Sequence, residues 1–516
     1  MPLPLVPPPG FTPAGTQARL AALAAVLGLL AAPLALADEP GAAPHGPAAA
    51  EAPEAARLPP DKATKHSLDL GDRTLAFTAT AGTVTLTAND GKPEADMTFV
   101  AYARDGGDPS SRPVTFAVNG GPGAASAYLD IGVLGPWIVP FDGARIVPSQ
   151  APALAANPDT WLDFTDLVFI DPVGTGFSRL VEPDDATRGR YLSVDGDVAA
   201  ISDFIARWLV ENGRTGSPKY FVGESYGGFR GPLVAERLQT DEGVALSGLT
   251  LISPVLDFGW WQQPDYAPLP MVALLPSLAA AEMEAGAGIT PEGLKAAEDY
   301  AAGDFVTDLL RGVRDPAAVG RVVDRVTALT GLDRATVARA AGRVDAGDFL
   351  REIRRDRGRR ASPYDPGVAS DDPDPGGGRG ADPVLDALTA PLTSAMLGLY
   401  REELGWQPDR RYMLLNGGLS RAWSWGDDRG QPEAVEPLRH ALALDPDLRV
   451  LVAHGLTDLV TPYFASTLIL RQLPAMGDTA RVRQANYPGG HMFYLREGSR
   501  RAFRADAAAM YVGEAG

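Results

Sequence analysis

One short run pairs a nucleophile with the backbone needed to expose it: Gly223-Glu224-Ser225-Tyr226-Gly227. It follows the apolar stretch Tyr220-Phe221-Val222 and leads into the helical residues Leu233 to Leu238. A serine between a strand and a helix, bracketed by glycines that avoid Cβ clashes, is held on a strained turn with its hydroxyl exposed. A Gly-rich structural turn is the competing reading; the strand before and the helix after favour the nucleophile. A serine hydroxyl is a weak nucleophile and needs a base held by an acid, supplied in the chain order Ser, Asp or Glu, His where this turn is used. The chain has five histidines. His45 lies in an Ala/Pro-rich stretch, His66 precedes the first clear strands, and His440 and His454 precede the acid assigned next. His491, in Tyr487-Pro488-Gly489-Gly490-His491-Met492, remains as the base.

Asp458 is the acid, because Val450-Leu451-Val452-Ala453-His454-Gly455 reads as a buried strand ending in a turn, and open α/β sheets place their sites at such carboxyl ends. Asp458 also suits a cap for a helix beginning near Pro462, a role open to Thr461. His454, on the strand end, reads as a packed or hydrogen-bonded residue. Acyl transfer further requires backbone donors for an oxyanion. Tyr226 N supplies one, and Gly121 N, in Asn119-Gly120-Gly121-Pro122-Gly123 after the strand Val114 to Val118, supplies the other. Loss of one such donor typically costs roughly 3 kcal/mol of transition-state stabilisation. This constellation needs neither cofactor nor metal, and a chain with no cysteine has no thiolate chemistry and no disulfides.

The elements that must position these residues are legible in the apolar pattern. Runs at Thr74 to Ala79, Val84 to Thr87 and Met97 to Tyr102 read as an antiparallel entry to a sheet. Val114 to Val118, Leu167 to Ile170, Tyr220 to Val222, Leu249 to Ile252 and Val450 to Ala453 are apolar on both faces, which implies a parallel sheet covered by helices. One such helix is predicted over Val194 to Val210, with Val198, Ile201, Ile205, Trp208 and Leu209 facing the core. Between about Leu256 and Asp382 the strand pattern gives way to helical segments such as Pro291 to Tyr300 and Ala335 to Ala341, then to a Pro/Gly/Asp-rich loop from Ser362. An inserted, mainly helical cap over the site is the expectation.

The 516 residues are 45% hydrophobic and 22% charged, which suits a folded, soluble body. A net charge of -19 argues against nucleic acid, which selects a basic face. The local basic run Arg351 to Arg360 is read as a solvated face or as a partner for Asp371, Asp372 and Asp374. At the N-terminus, Arg19 precedes an apolar run from Leu20 to Leu36, and Ala35-Leu36-Ala37 offers small residues for cleavage. The expected organisation is a signal peptide over 1–37, an Ala/Pro-rich tether over 38–64, core over 65–255, cap over 256–382 and core over 383–516. Export to a bacterial periplasm or medium follows, with no stable membrane insertion after cleavage.

In order, the blocks NGGPG (Asn119 to Gly123), DPVGTGFS (Asp171 to Ser178), GESYGG (Gly223 to Gly228), HGLTDLVTP (His454 to Pro462) and YPGGHM (Tyr487 to Met492) resemble the signature blocks of the serine carboxypeptidase family, in particular its cysteine-free bacterial members. The resemblance covers roughly Ser67 to Tyr511. It implies an α/β-hydrolase fold, a peptide substrate, Ser225, His491 and Asp458 as the catalytic triad, and Gly121 N and Tyr226 N as the oxyanion donors. It also implies that Asn119 and Glu224 bind the substrate's C-terminal carboxylate. Beside that carboxylate Glu224 must be protonated, since two like charges at contact repel, so activity at acidic pH is expected.

The chain departs from the family where the usual Trp is Ala117 and the usual Glu is Val133, so half of the carboxylate-binding network is missing. Arg230 offers either a compensating cation or an internal ion pair. Within the same fold, the alternatives to a carboxypeptidase are an esterase, an acyltransferase or a proline-type aminopeptidase. A non-catalytic binding protein is the alternative from another class.

Overall fold

Alternation along the strands feeds two cores, one on each face of a single sheet. On its continuous path the sheet holds β1 (Lys62–Asp69), β2 (Thr74–Thr87), β3 (Pro93–Arg104), β4 (Val114–Val118), β5 (Asp166–Ile170), β6 (Lys219–Glu224), β7 (Gly248–Ile252), β8 (Arg449–Gly455) and β9 (Val482–Tyr487). Their spatial order is β1-β2-β3-β5-β4-β6-β7-β8-β9, and the short strand Arg179–Leu180 pairs with β3. Pairings from β1 to β5 are antiparallel, and those from β5 through β9 are parallel. The computed structural model describes residues 58–141, 147–149, 153–353, 358–374, 381–426 and 431–512. The expected signal peptide, the tether as far as residue 57, and Arg354, Arg355 and Arg357 of the basic run lie outside the described residues.

Phe116, Phe221, Leu249 and Val450 point into one core, while their neighbours Ala117, Val222, Ile252 and Leu451 point into the other. This is the period-2 geometry of a strand buried on both faces. The first core is covered by α1 (Val194–Glu211) and α2 (Tyr226–Thr240). Val198, Ile201, Ile205, Trp208 and Leu209 of α1 are all buried, as their helical spacing predicts. Ser193 starts α1 by accepting the Gly196 N–H at 3.1 Å, with Asp195 and Asp197 in the first turn, where the helix dipole favours acids. The opposite core is closed by the C-terminal helix Glu497–Val512, which buries Phe503, Ala507 and Met510 and stacks Tyr511 on Tyr220 at 3.8 Å.

After β7 the chain leaves the sheet through the helices Leu269–Ala285, Pro291–Tyr300 and Pro316–Thr330. Their apolar faces share a third core with Leu456, Leu459, Tyr463 and Phe464, so the cap rests directly on the loop that carries Asp458. Tyr463 Oη donates to Glu298 Oε1 at 2.8 Å across that junction. A mostly parallel sheet, helices on both faces, a serine turn at the carboxyl end of an inner strand and a helical insertion together make the α/β-hydrolase arrangement. No described helix is long and apolar enough to cross a membrane.

Three details differ from the sequence reading. The tether was expected through residue 64, yet β1 begins at Lys62 and His66 lies within it. β1 has little apolar content to announce it; its register comes from eight backbone pairings with β2, and only Thr64, His66 and Leu68 are half-buried. The two runs Thr74 to Ala79 and Val84 to Thr87 form one strand, because the ladder to β3 continues through Ala81 and Gly82. Part of the Pro/Gly/Asp-rich loop is a hairpin, Arg359–Ala361 against Ala369–Asp371, whose register sets Arg359 opposite Asp371.

Candidate active site

β6 ends at Glu224, and the chain turns sharply into α2 at Ser225, which adopts φ 59° and ψ -119°. For a residue with a Cβ this conformation costs about 1–3 kcal/mol and persists only where the surroundings impose it. Here Ser225 N donates to Ile252 O at 2.8 Å, while Ser225 O accepts Gly228 N at 2.9 Å and Phe229 N at 3.2 Å. The flanking glycines allow contacts that no side chain permits: a Cβ on Gly223 would sit 1.9 Å from Gly227 O, and one on Gly227 would sit 2.3 Å from Val118 O. The Asn119 to Gly123 loop closes on the same turn, since a Cβ on Gly120 would meet Tyr226 N at 2.7 Å and Ser225 Cβ at 3.0 Å. Among the described residues, the N–H groups of Gly121 and Tyr226 have no acceptor. Two unspent backbone donors thus flank the serine, as an oxyanion site requires.

His491 is fixed through its main chain, its N donating to Tyr364 O at 2.6 Å and its O accepting Ser253 Oγ at 2.8 Å. Its Nδ1 donates to Asp458 Oδ2 at 2.8 Å. That bond fixes the tautomer with the proton on Nδ1 and leaves the Nε2 lone pair free as a base. Asp458 Oδ1 accepts Val460 N at 2.8 Å and Thr461 N at 3.0 Å, and Oδ2 also accepts Thr461 Oγ1 at 2.7 Å. Asp458 therefore orients His491 and closes a turn through Val460 and Thr461, but it caps no helix: Tyr463–Leu470 begins after Pro462 with no side-chain cap. Burial pushes the Asp458 carboxyl up, but the His491 charge and hydrogen bond with the Thr461 donors outweigh it and hold the pKa below the usual carboxylate value. For His491, burial lowers the pKa, yet Asp458 and, further off, Glu224 raise it above the ordinary imidazole value. Ser225 Oγ makes no hydrogen bond among the described residues. The structure joins Asp458 to His491 directly, and joins Ser225 to both through residues 252 and 253; such nucleophile–base contacts commonly tighten only when substrate binds.

Glu224 is 3% exposed. Its Oε2 accepts Asn119 Nδ2 at 2.6 Å, and Tyr494 Oη donates to its Oε1 and Oε2 at 2.9 and 2.8 Å. Burial raises its pKa, opposed by the His491 charge and by the Tyr494 and Asn119 hydrogen bonds, with a net upward shift. Ala117 and Val133, where the carboxylate-binding Trp and Glu were expected from the resemblance, are fully buried in the apolar core. Arg230 is an internal ion pair. Its guanidinium donates to Asp197 at 2.5 and 3.1 Å and to Asn119 O at 2.5 Å, bracing the Asn119 loop from behind. His454 is fully buried with Nε2 2.9 Å from Ser466 Oγ, and burial lowers its pKa to about 4. It sits at the strand end as a packed, hydrogen-bonded residue, as the sequence suggests.

Sequence reasoning missed Ser253, Thr461 and Tyr494. Ser253 adopts a positive φ of 44° and ties β7 to His491, and its carbonyl accepts Thr461 Oγ1 at 2.9 Å. Only the position of Tyr494, three residues after His491, hinted at it; Thr461 stood out only as a cap candidate, and Ser253 carried no local signal. Trp423 and Trp425 pack edge-on against Tyr226 at 5.7 and 5.5 Å, walling the other side of the turn. Among the described residues, no group of three His, Asp or Glu side chains is placed to hold a metal ion.

The serine carboxypeptidase family matches residues 71–259, a span that includes Asn119, Glu224 and Ser225. Serine carboxypeptidase-like 16 of Arabidopsis thaliana is 26% identical over 179 residues, 33% of this chain and 39% of that protein. Serine carboxypeptidase-like 50 of the same plant is 33% identical over 117 residues, 22% of this chain and 24% of that protein. The chain thus spans at most about two-fifths of the length of these curated relatives. Among solved structures, the proline iminopeptidase of Mycobacterium smegmatis aligns over 88% of this chain and 99% of that chain, at 15% identity and a TM-score of 0.35. Over residues 71–259, which hold the elbow serine and the Asn119 loop, this chain is similar to the serine carboxypeptidase family.

Proposed function

We propose that the protein is a serine-type carboxypeptidase that hydrolyses C-terminal peptide bonds through an acyl-enzyme. Ser225 Oγ attacks the scissile carbonyl carbon while His491 Nε2 takes its proton. The carbonyl oxygen becomes the oxyanion held by Gly121 N and Tyr226 N. Collapse breaks the C–N bond, and His491 returns the proton to the departing amine. Water, deprotonated by His491, then releases the acyl group and restores Ser225. Asp458, ionised throughout, stabilises the imidazolium.

The observation that carries the exopeptidase part of this reading is the buried Glu224–Asn119–Tyr494 cluster, adjoining the nucleophile in sequence. Asn119 and Tyr494 occupy acceptor positions on Glu224, so a protonated Glu224 has its own O–H to offer to a C-terminal carboxylate. As pH rises through the raised pKa of Glu224, that donor is lost and a like charge replaces it, so KM rises. As pH falls through the raised pKa of His491, the base is protonated and kcat falls. Substrate binding is therefore favoured on the acidic side. Export is part of the proposal, on the basis of Arg19, the apolar run Leu20 to Leu36 and the small residues before Asp38.

An N-blocked dipeptide with a free C-terminus and its C-terminal amide make the test. The free acid is expected to be cleaved far faster; equal rates would remove the carboxypeptidase assignment. The buried apolar Ala117 and Val133 favour an esterase or acyltransferase as the second reading, in which the same serine acts without a grip on a free carboxylate.

A further inference from the structure

Tyr128 is 4% exposed, and its hydroxyl is sealed from solvent with no hydrogen-bond partner among the described residues. A buried phenol left unpaired is destabilising and calls for a physical explanation. Tyr128 lies on the turn Ala127–Leu129, which is fastened to Asn119 at both ends. Asn119 N donates to Ser126 Oγ at 3.2 Å, and Leu129 N donates to Asn119 Oδ1 at 3.0 Å. The same asparagine reaches Glu224 through Nδ2 at 2.6 Å. Burial, then the charges of Glu224 and Asp386, push the Tyr128 phenol up, and Tyr128 in turn acts on Tyr364 and Tyr494. The turn that carries the phenol is thus tied, through the hydrogen bonds of Asn119, to Glu224.

A carboxylate presents two oxygens and no proton, so its site must supply donors. Protonated Glu224 offers one, and the second hydrogen of Asn119 Nδ2 offers another. Tyr494 is already spent on Glu224, and Arg230 on Asp197 and Asn119 O. Ala117 and Val133 have nothing polar to give. We propose that Tyr128 Oη donates a hydrogen bond to the free carboxylate of the residue being released, completing a three-donor site with Asn119 and Glu224, with substrate entry displacing the side chains that seal the phenol. This rests on the carboxypeptidase reading above and names a specificity-determining residue within it.

The test compares wild type with Tyr128→Phe on an N-blocked dipeptide as free acid and as C-terminal amide. A lost hydrogen bond to a charged group predicts a rise in KM on the free acid of about 10- to 100-fold, with kcat within about 2-fold and the amide kinetics unchanged. Labelling of Ser225 by a fluorophosphonate should proceed at the wild-type rate, and the thermal midpoint should hold or rise, because an unpaired hydroxyl has been removed. A variant that keeps the full preference for the free acid overturns the assignment of Tyr128 alone. So does a variant that fails to fold, since the hydroxyl would then be structural. Equal cleavage of acid and amide by the wild-type protein overturns both this assignment and the carboxypeptidase reading.

Discussion

The two sides of Ser225 are built differently. On the His491 side the polar atoms of the triad are committed, although the nearby His454 Nδ1 and Thr457 Oγ1 have no partner among the described residues: Asp458 accepts from His491, Thr461 Oγ1 and two amides, and Ser253 holds His491 O while receiving Thr461. On the Glu224 side the polar groups are fewer, two expected members are apolar, and the phenol of Tyr128 is left over. A base must be held in one tautomer and one orientation before substrate arrives, and a saturated network achieves this. A recognition site must keep donors unspent for the ligand. The difference therefore separates the chemistry, which is fixed by bonds within the protein, from specificity, which depends on bonds still to be made.

The largest effects should fall on the saturated side. Ser225→Ala or His491→Ala is expected to lower kcat by roughly 10⁴ to 10⁶, measured with saturating peptide. His454→Ala should leave kcat within an order of magnitude despite the proximity of this histidine to Asp458. A comparable loss in all three would mean that the two histidines act together.

Glu224→Gln probes the other side at intermediate size. The substituted amide still donates but cannot ionise, so KM for a free-acid substrate should become flat across the pH range where wild-type KM climbs. A KM that still climbs with pH in this variant would assign the titration to another group. Thr461→Val removes the hydroxyl from Asp458 Oδ2 and from Ser253 O. The expected loss in kcat is the smallest of the set, about 3- to 10-fold, corresponding to a hydrogen bond worth about 0.5–1.5 kcal/mol. An unchanged KM would place Thr461 with the orienting network.

What the sequence revealed follows the same division. Ser225, His491, Asp458 and the Gly121 loop were legible because each stands in a local pattern of strand end, glycine and turn, and the inner strands were legible because burial on both faces leaves a run of apolar residues. β1 was not legible, since an edge strand of mixed polarity takes its structure from backbone pairing with β2. Ser253 and Tyr128 were not legible either, while Thr461 stood out only as a cap candidate and Tyr494 only by its place after His491. Their roles arise from contacts between elements far apart in the chain, such as Tyr494 with Glu224, which no local pattern encodes.

The most direct measurement is the rate and position of fluorophosphonate labelling in the folded protein. A single adduct on Ser225, absent from Ser225→Ala and formed far more slowly in His491→Ala, is the predicted result. No adduct, or an adduct on a different residue at the wild-type rate, would contradict the assignment of Ser225 as a nucleophile activated by His491.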